Sequence, residues 1–149
     1  MPVYYSEEDR ANEAAVVGIL SKKWNCTFHS FGFLFPIDYY ALRGGALVGV
    51  IEIKTRNKSS RDFATVCLAL RKWISLGLVQ TGLGVPAIFV VQFTDRLMYI
   101  PFNRIDASRW MVGGRTDRNG GGGNDIEPMI RVEIAAMRAV TAEMPTIEK

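Results

Sequence analysis

A strand–helix–strand succession in the middle of the chain most constrains its fold. Residues 46–55, ALVGVIEIKT, have the composition of a strand, and residues 87–93, AIFVVQF, are apolar enough for a strand buried on both faces. Between them, Phe63, Leu70 and Trp73 keep a helical period. Two strands joined through a helix need a crossover connection, which predicts an α/β fold with a mixed sheet flanked by helices.

Two helices are predicted. The first begins near Ser6, where acidic residues suit the amino end of a helix, and continues to about Lys23. The second begins at Ser59 or Ser60, includes Val66 and ends in a glycine-rich segment. Strands are predicted at 25–31, in both arms of a hairpin at 36–56, at 86–93 and at 95–102, which gives the order α-β-β-β-α-β-β.

Length and composition predict one globular domain. The chain has 149 residues, of which 48% are hydrophobic and 22% charged, and its net charge is +3. We expect a single domain over 1–149, with a core at about 7–102 and a C-terminal extension at 103–149. The extension contains a glycine-rich loop at 113–125, which we expect to be mobile. MIRVEI reads as a returning strand, and AAMRAVTAEM favours a terminal helix by propensity.

Several classes of protein and site are disfavoured. Cys26 and Cys67 are far apart and the chain has only His29 besides, so buried free thiols are expected rather than a zinc site. The amino terminus lacks the features of a signal peptide, and no apolar run approaches the ~18 residues of a membrane span. The glycine-rich loop also lacks a P-loop pattern. We therefore expect a soluble, cytoplasmic protein with no organic cofactor and no membrane partner.

Charged residues interrupt the hairpin formed by residues 36–56, PIDYYALRGGALVGVIEIKTR. Because side chains alternate along a strand, Glu52 and Lys54 point to one face and the neighbouring isoleucines to the other. Val48 and Val50 are expected on the charged face as well. That face is therefore not simply the solvent face of a hairpin.

Three acidic residues are expected near this face, but only one lysine. Asp38 lies in the first arm, Glu52 in the second, and Glu13 on the apolar stripe of the first helix. Buried charges must be paired or bind a metal, and Lys54 cannot neutralise all three. The other interpretation of Glu13 is a residue at the stripe's edge whose carboxylate reaches water.

Divalent-metal chemistry fits these residues. Mg²⁺ takes oxygen ligands, which Asp38, Glu52, a backbone carbonyl and a substrate phosphate could supply. The ion polarises the phosphate and activates water, while Lys54 adds positive charge where the transition state gathers negative charge. The sequence therefore predicts phosphodiester hydrolysis dependent on Mg²⁺ or Mn²⁺.

A shared site requires that Asp38 and Glu52 face the same way. A regular two-residue turn at Gly44–Gly45 would set Asp38 opposite Ile51, with the acids on opposite faces. A three-residue loop that includes Ala46 would set Asp38 opposite Glu52. The sequence therefore predicts an odd loop or a β-bulge in this hairpin.

The motif PID followed by EIK, after a helix with Glu13 and before a helix and a hairpin, resembles the PD-(D/E)XK nuclease superfamily. Over about residues 7–102 the layout is similar to archaeal Holliday-junction resolvases and small phage-type nucleases. The resemblance implies a restriction-endonuclease-like fold and a nuclease that cuts DNA, either structure-selectively or otherwise. The loop GFLFP departs from the small basic loop of the resolvases, and could be an apolar wedge against bases or a dimer contact.

The resemblance also implies residue roles. Asp38 and Glu52 would bind the metal with the backbone carbonyl of Ile53, Lys54 would act on the attacking water, and Glu13 would assist from the helix. A homodimer is expected because cutting two strands, or a four-way junction, requires two sites.

Basic residues near the motif predict contacts to DNA phosphates, which position a backbone without reading sequence. They follow the motif, end the first helix or lie in the glycine-rich loop: Arg56, Lys58, Arg61, Lys22, Lys23, Arg115 and Arg118. Ordinary solvated charges are the alternative for each. Two other interpretations of the whole chain also stay open: a nuclease-like module that binds DNA or protein without cutting, and a structural hairpin with a wet face.

Overall fold

A six-stranded sheet with one helix on each face forms the body of the protein, and a three-stranded sheet packs beside it. The computed structural model describes residues 7–32, 34–113 and 126–147. The elements are α1 (Glu7–Trp24), β1 (Thr27–Ser30), β2 (Tyr39–Arg43), β3 (Ala46–Thr55), β4 (Thr65–Ala69), α2 (Leu70–Leu83), β5 (Ala87–Gln92), β6 (Leu97–Pro101), β7 (Trp110–Gly113), β8 (Glu127–Glu133) and β9 (Arg138–Ala139), with short 3₁₀ helices at Phe102–Arg104 and Ile134–Ala136.

The large sheet has the strand order β1-β2-β3-β5-β6-β9, and the small sheet has the order β4-β8-β7. β3 and β5 run parallel with α2 in the crossover between them, while the other paired strands are antiparallel. The predicted mixed sheet and the order α-β-β-β-α-β-β are therefore confirmed, with β4 as an additional strand before α2. Neither helix of the described ranges is long and apolar enough to cross a membrane.

The first helix buries one stripe against the sheet. Val16, Leu20 and Trp24 are fully buried and recur every four residues. The helix ends at Trp24, one residue beyond the predicted Lys23, and its predicted start at Ser6 lies outside the described residues. This stripe fixes α1 on one face of the large sheet.

Alternating residues of β3 and β5 divide between two hydrophobic clusters. Under α1 lie Ile51, Ile53, Ile88 and Val90. Under α2 and the small sheet lie Val50, Phe89, Val91 and Leu76. The segment after residue 102 contributes to this second cluster through Ile105, Ile130 and Val132.

The second helix begins at Leu70, after a strand that the sequence did not predict. Val66 lies in β4, which pairs with β8, a partner too distant along the chain for local periodicity to reveal. Ser60 does not cap a helix, because its backbone N–H and hydroxyl donate to the Asp95 carboxylate at 2.7 and 2.6 Å. The end of the helix is as predicted, with Gly84 in the left-handed conformation at φ 68°.

The terminal helix predicted over 135–144 is wrong, whereas the strand predicted for MIRVEI is confirmed as part of β8. Arg138 and Ala139 instead form β9 at the edge of the large sheet. The Trp24 indole N–H also donates to the Thr141 carbonyl at 3.0 Å. Pairing to the sheet edge thus overrides helix propensity in this segment.

Candidate active site

The β2–β3 hairpin combines a tight turn with a β-bulge. Gly44 and Gly45 form a two-residue turn, with φ values of 58° and 79° that glycine adopts without strain. The register shifts between Ala41 and Leu42, which leaves Val48 without a partner on β2. The predicted irregularity is thus a bulge, and the three-residue loop does not form.

The bulge brings Asp38 and Glu52 to the same face. Beyond it Tyr39 pairs with Ile51, so that Asp38, which directly precedes β2, lies across from Glu52. The sequence also predicts Val48 on this face, and that expectation is wrong, because the bulge reverses the alternation and Val48 packs against the cluster beneath α1. The two acids therefore share the face of the sheet that α2 covers.

The Asp38 side chain replaces a missing strand partner of β3. Its Oδ2 atom accepts a hydrogen bond of 2.8 Å from the Ile53 backbone N–H, at the level where β2 has not yet begun. The N–H and C=O of one strand residue point to the same side. The Ile53 carbonyl therefore faces the side of the strand on which Asp38 lies.

Burial and mutual repulsion raise the pKa values of both acids. Glu52 is only 8% exposed, and burial followed by the negative charge of Asp38 raises its pKa to about 8. Burial also raises the pKa of Asp38, against which the hydrogen bond from Ile53 acts. The two carboxyl groups are close enough for the charge of Asp38 to act directly on Glu52. Two acids held this close favour a proton or another cation between them.

Two lysines approach this face, in different directions. The Lys54 ammonium donates to the backbone carbonyl of Cys67 at 2.5 Å, and burial lowers its pKa. The Lys72 ammonium lies 3.3 Å from Glu52 Oε1 and donates to the Pro36 carbonyl at 2.7 Å. Of these two lysines, Lys72 is thus the one in direct contact with Glu52.

Sequence reasoning missed Lys72. It follows Glu52 by 20 positions and lies in the first turn of α2, which the sequence places in the middle of a longer helix. Nothing in its neighbours RKW distinguishes it from an ordinary solvated lysine on a helix. Lys72 lies near the acids because β4 precedes α2 and determines where the helix begins.

Glu13 belongs to the other side of the sheet. It lies on α1, and its Oε1 atom accepts a hydrogen bond of 3.3 Å from the Tyr39 hydroxyl. Burial and the negative charge of Glu13 raise the pKa of Tyr39 to about 12. Within the described ranges, no group of three or more Asp, Glu, His or Cys side chains is placed to hold a metal. The structure therefore does not bring Glu13 into one cluster with Asp38 and Glu52.

The basic loop after β3 lies at the same edge of the sheet as the acids. The Arg56 backbone N–H donates to the Gln92 carbonyl, and the Thr94 N–H donates to the Lys58 carbonyl. These bonds tie the loop to the carboxyl end of β5, which runs parallel to β3. Lys58 and Arg61 are exposed there and Arg56 is half-buried. The three cations are thus close to the edge at which the acids lie.

Lys22 and Lys23 lie at the opposite end of the hairpin, contrary to the expectation that they adjoin the site. The guanidinium of Arg43, beside the turn, donates to the Trp24 carbonyl at 2.5 Å. The carboxyl end of α1 is therefore fixed at the turn. Arg43 follows Asp38 by five positions along an extended chain, which amounts to about 17 Å.

The glycine-rich loop predicted at 113–125 lies almost entirely outside the described residues. Its first residue, Gly113, ends β7. Arg115 and Arg118 fall in the part that is not described, so their expected contact with DNA stays a prediction.

The apolar loop before Asp38 adjoins the acids. Leu34 in this loop is 91% exposed, and the ring of Phe35 stacks on Phe31 at a centroid distance of 4.2 Å. The loop is tied to the site by the bond from Lys72 to the Pro36 carbonyl. The loop that leads into Asp38 thus carries an exposed aliphatic side chain.

The donor atoms of this site fit a hard divalent cation. Asp38 and Glu52 present carboxylate oxygens on one face and Ile53 adds a carbonyl on the same side, all of which suit Mg²⁺ or Mn²⁺. When both acids are ionised they carry two negative charges, against the single positive charge of Lys72 in contact with them. The net charge at this point is then negative, which favours the binding of a cation.

Comparison with known proteins supports the fold. The chain is similar to the solved structure of Hjc from Archaeoglobus fulgidus, a Holliday junction resolvase from an archaeal hyperthermophile. The TM-score is 0.60 and the sequence identity is 14%, over 90% of this chain and 93% of the other. No protein with a curated description matches the chain. The predicted restriction-endonuclease-like architecture is thereby confirmed.

A family model described as "Phage putative PDDEXK endonuclease" matches residues 1–140. The match contains both arms of the hairpin, with PID and EIK, and both helices. The chain therefore belongs to this family of PD-(D/E)XK nucleases.

Proposed function

We propose that this protein is a Mg²⁺- or Mn²⁺-dependent deoxyribonuclease that hydrolyses phosphodiester bonds without a covalent enzyme intermediate. The observation that carries the proposal is the pairing of Asp38 with Glu52 across a bulged hairpin. A stable fold has no need of two facing acids in a half-closed site, because their burial is unfavourable. Their cost to folding is explained if they bind a cation that takes part in hydrolysis.

Individual residues have separate tasks in this proposal. Asp38 and Glu52 would hold the ion with the carbonyl of Ile53, and Asp38 is itself held by the Ile53 N–H. When bound, the ion polarises the phosphate and activates water. Lys54 places a positive charge on the same face and orients the attacking water. Glu13 assists from α1 through Tyr39.

The loop at the sheet edge is proposed to bind the DNA backbone. Arg56, Lys58 and Arg61 present cations at the edge where the acids lie. Lys22 and Lys23, at the far end of the hairpin, would meet phosphates of a longer duplex. Such contacts weaken steeply as salt rises, because each releases counterions from the DNA.

Nicking of supercoiled plasmid tests the reaction. Cleavage is expected with Mg²⁺ or Mn²⁺, none is expected with EDTA, and Lys54→Ala is expected to be slowed by about 10²-fold. Equal cleavage by the wild type with metal and with EDTA would contradict the proposal. Arg109→Ala is a control, because the Arg109 guanidinium pairs with Glu133 rather than with either acid of the site.

We propose branched DNA as the substrate, by analogy with Hjc, which is a Holliday junction resolvase. The exposed Leu34, in the loop that leads into Asp38, supports this choice, because an apolar side chain can insert where bases are not stacked. A panel of four-way junctions, flaps, linear duplexes and single strands would test it. Faster cleavage of linear duplex than of any branched substrate would contradict structure selectivity and leave the hydrolytic proposal intact.

One observation favours a second function, a nuclease-like module that binds without cutting. The Lys54 ammonium is bonded to the Cys67 carbonyl rather than to an acid. Salt-sensitive binding of DNA with no cleavage of any substrate in Mg²⁺ or Mn²⁺ would favour this module.

A homodimer is part of the proposal, because cutting two strands requires two sites. Sedimentation equilibrium at micromolar concentration would show a mass of twice 16.6 kDa. A monomer in the presence of junction DNA would contradict the dimer and would fit a nuclease that nicks one strand.

A further inference from the structure

Lys72 occupies a position that helix electrostatics disfavour. It lies in the first turn of α2, where backbone N–H groups make the helix end positive, and no acidic residue shares that turn. The preceding Ala69 provides no side-chain cap. Local helix energetics therefore do not explain a lysine here.

Two contacts fix its side chain. The ammonium donates to the Pro36 carbonyl at 2.7 Å and lies 3.3 Å from Glu52 Oε1. The side chain is only 21% exposed, and that of Glu52 only 11%. An ion pair with so little solvent is weakly screened, so that each charge strongly affects the other.

The neighbouring arginine does not share the contact that Lys72 makes with Glu52. Arg71, one position earlier in the same turn, is 64% exposed and pairs with Glu127 on β8 at 2.9 Å. Lys54, although on the same face as Glu52, bonds to Cys67 instead. Among these three cations, Lys72 is the one in contact with an acid of the pair.

We propose that Lys72 is the built-in counterion of the Asp38–Glu52 pair, which a divalent ion must displace from Glu52 in order to bind. The inference rests on the proposed metal-dependent function. Two ionised acids with Lys72 carry one net negative charge, so a divalent ion that enters beside an undisplaced Lys72 leaves an excess positive charge. Without Lys72 the same ion neutralises the pair.

This arrangement makes Lys72 a positioning residue that lowers metal affinity while it holds Glu52 in place. Truncation of a residue with only a structural role would weaken metal binding or leave it unchanged. Removal of a competing cation strengthens binding instead. The sign of the change therefore separates the two roles.

Mn²⁺ binding to the metal-stripped protein, without DNA, provides the test. Isothermal titration calorimetry and the decrease of the free Mn²⁺ electron paramagnetic resonance signal would measure it for wild type, Lys72→Met and Lys72→Gln. Both variants are expected to bind Mn²⁺ about tenfold more tightly, because each loses the competing charge. The glutamine variant keeps a donor for the Pro36 carbonyl and so controls for a disturbed loop.

Three controls make each result decisive. Arg71→Met removes a charge from the same turn and is expected to change the affinity less than twofold, and Lys72→Arg is expected to restore wild-type affinity. Glu52→Gln is expected to abolish Mn²⁺ binding. Unchanged or weaker binding by both neutral Lys72 variants would overturn the counterion role. A wild type that binds no Mn²⁺ would overturn the proposed function together with this inference.

Discussion

The two faces of the large sheet differ in what they bury, although β3 contributes to both. Beneath α1, Ile51 and Ile53 join an apolar cluster in which Val16 and Leu20 are also buried. On the other face the next residues of the same strand are Glu52 and Lys54, at the edge of the cluster beneath α2. Both faces thus stabilise the fold by burial of apolar surface, but only the α2 face also carries, on β3, charges whose burial opposes folding.

Different residues of β3 therefore contribute to folding stability and to the proposed hydrolysis. Beyond the bulge, successive residues of β3 alternate between the faces, so a substitution on one face leaves the other face's side chains in place. In this chain the bulge at Val48 sets which face the acids occupy. Substitutions on the two faces should therefore change different measured quantities, and the variants below test that separation.

Glu52→Gln should have the largest effect on cleavage. The amide keeps the size of the side chain but loses the charge that would bind a divalent ion, so the rate should fall by about 10³-fold. Single-turnover cleavage of a labelled junction would measure it. Glu133→Gln, which alters an acid paired with Arg109, is the matched control and should cut at the wild-type rate. Equal loss in both variants would contradict the assignment.

Ile88→Ala should have the largest effect on stability. Ile88 is fully buried in the cluster beneath α1, and removal of its side chain leaves a cavity that should cost about 3 kcal/mol of unfolding free energy. Urea denaturation would measure this loss. Cleavage per folded molecule at 25 °C should stay within twofold of wild type. A tenfold fall in that rate would show that the two faces are not separable.

The buried carboxyl of Glu52 should make the metal-free protein less stable as pH rises. Its pKa is about 8 in the fold against 4.5 for an ordinary glutamic acid, so stability is fully present below about pH 4.5 and is lost as pH rises through 8. Between pH 6 and 9 the loss should be about 3 kcal/mol. Urea denaturation in EDTA would measure it. Glu52→Gln should lack this part of the loss, and an identical pH dependence in both proteins would contradict the assigned pKa.

Much of the large sheet could be predicted from the sequence because its signals are local. The stripe of Val16 and Leu20, the glycine turn and the apolar run of β5 each follow from a few adjacent residues. β4 and the segment after Glu133 could not be predicted in this way. Their structure depends on pairing with β8 and with the edge of β6, and those partners lie far along the chain.

The site divides in the same manner. Asp38, Glu52 and the bulge could be predicted because a strand's alternation and a hairpin's register link residues that are close in sequence. Lys72 could not, since its approach to Glu52 depends on where β4 ends and α2 begins. The prediction that Lys22 and Lys23 lie near the acids was wrong for a related reason. The direction in which α1 crosses the sheet is set by tertiary contacts such as that of Arg43 with Trp24.

Glu13→Gln should have the smallest effect of these variants. Glu13 is an acid on the α1 side of the sheet, so this variant tests whether that side contributes to cleavage. Glutamine still accepts the hydrogen bond from the Tyr39 hydroxyl, and Tyr39 separates it from the residues that face α2. Cleavage should therefore fall by no more than about tenfold, as expected for a residue that acts through another. Tyr39→Phe, which removes the donor, should produce a similar decrease in the same single-turnover assay. A loss for Glu13→Gln as large as that for Glu52→Gln would mean that Glu13 reaches the metal itself, and the two faces would then share one catalytic centre.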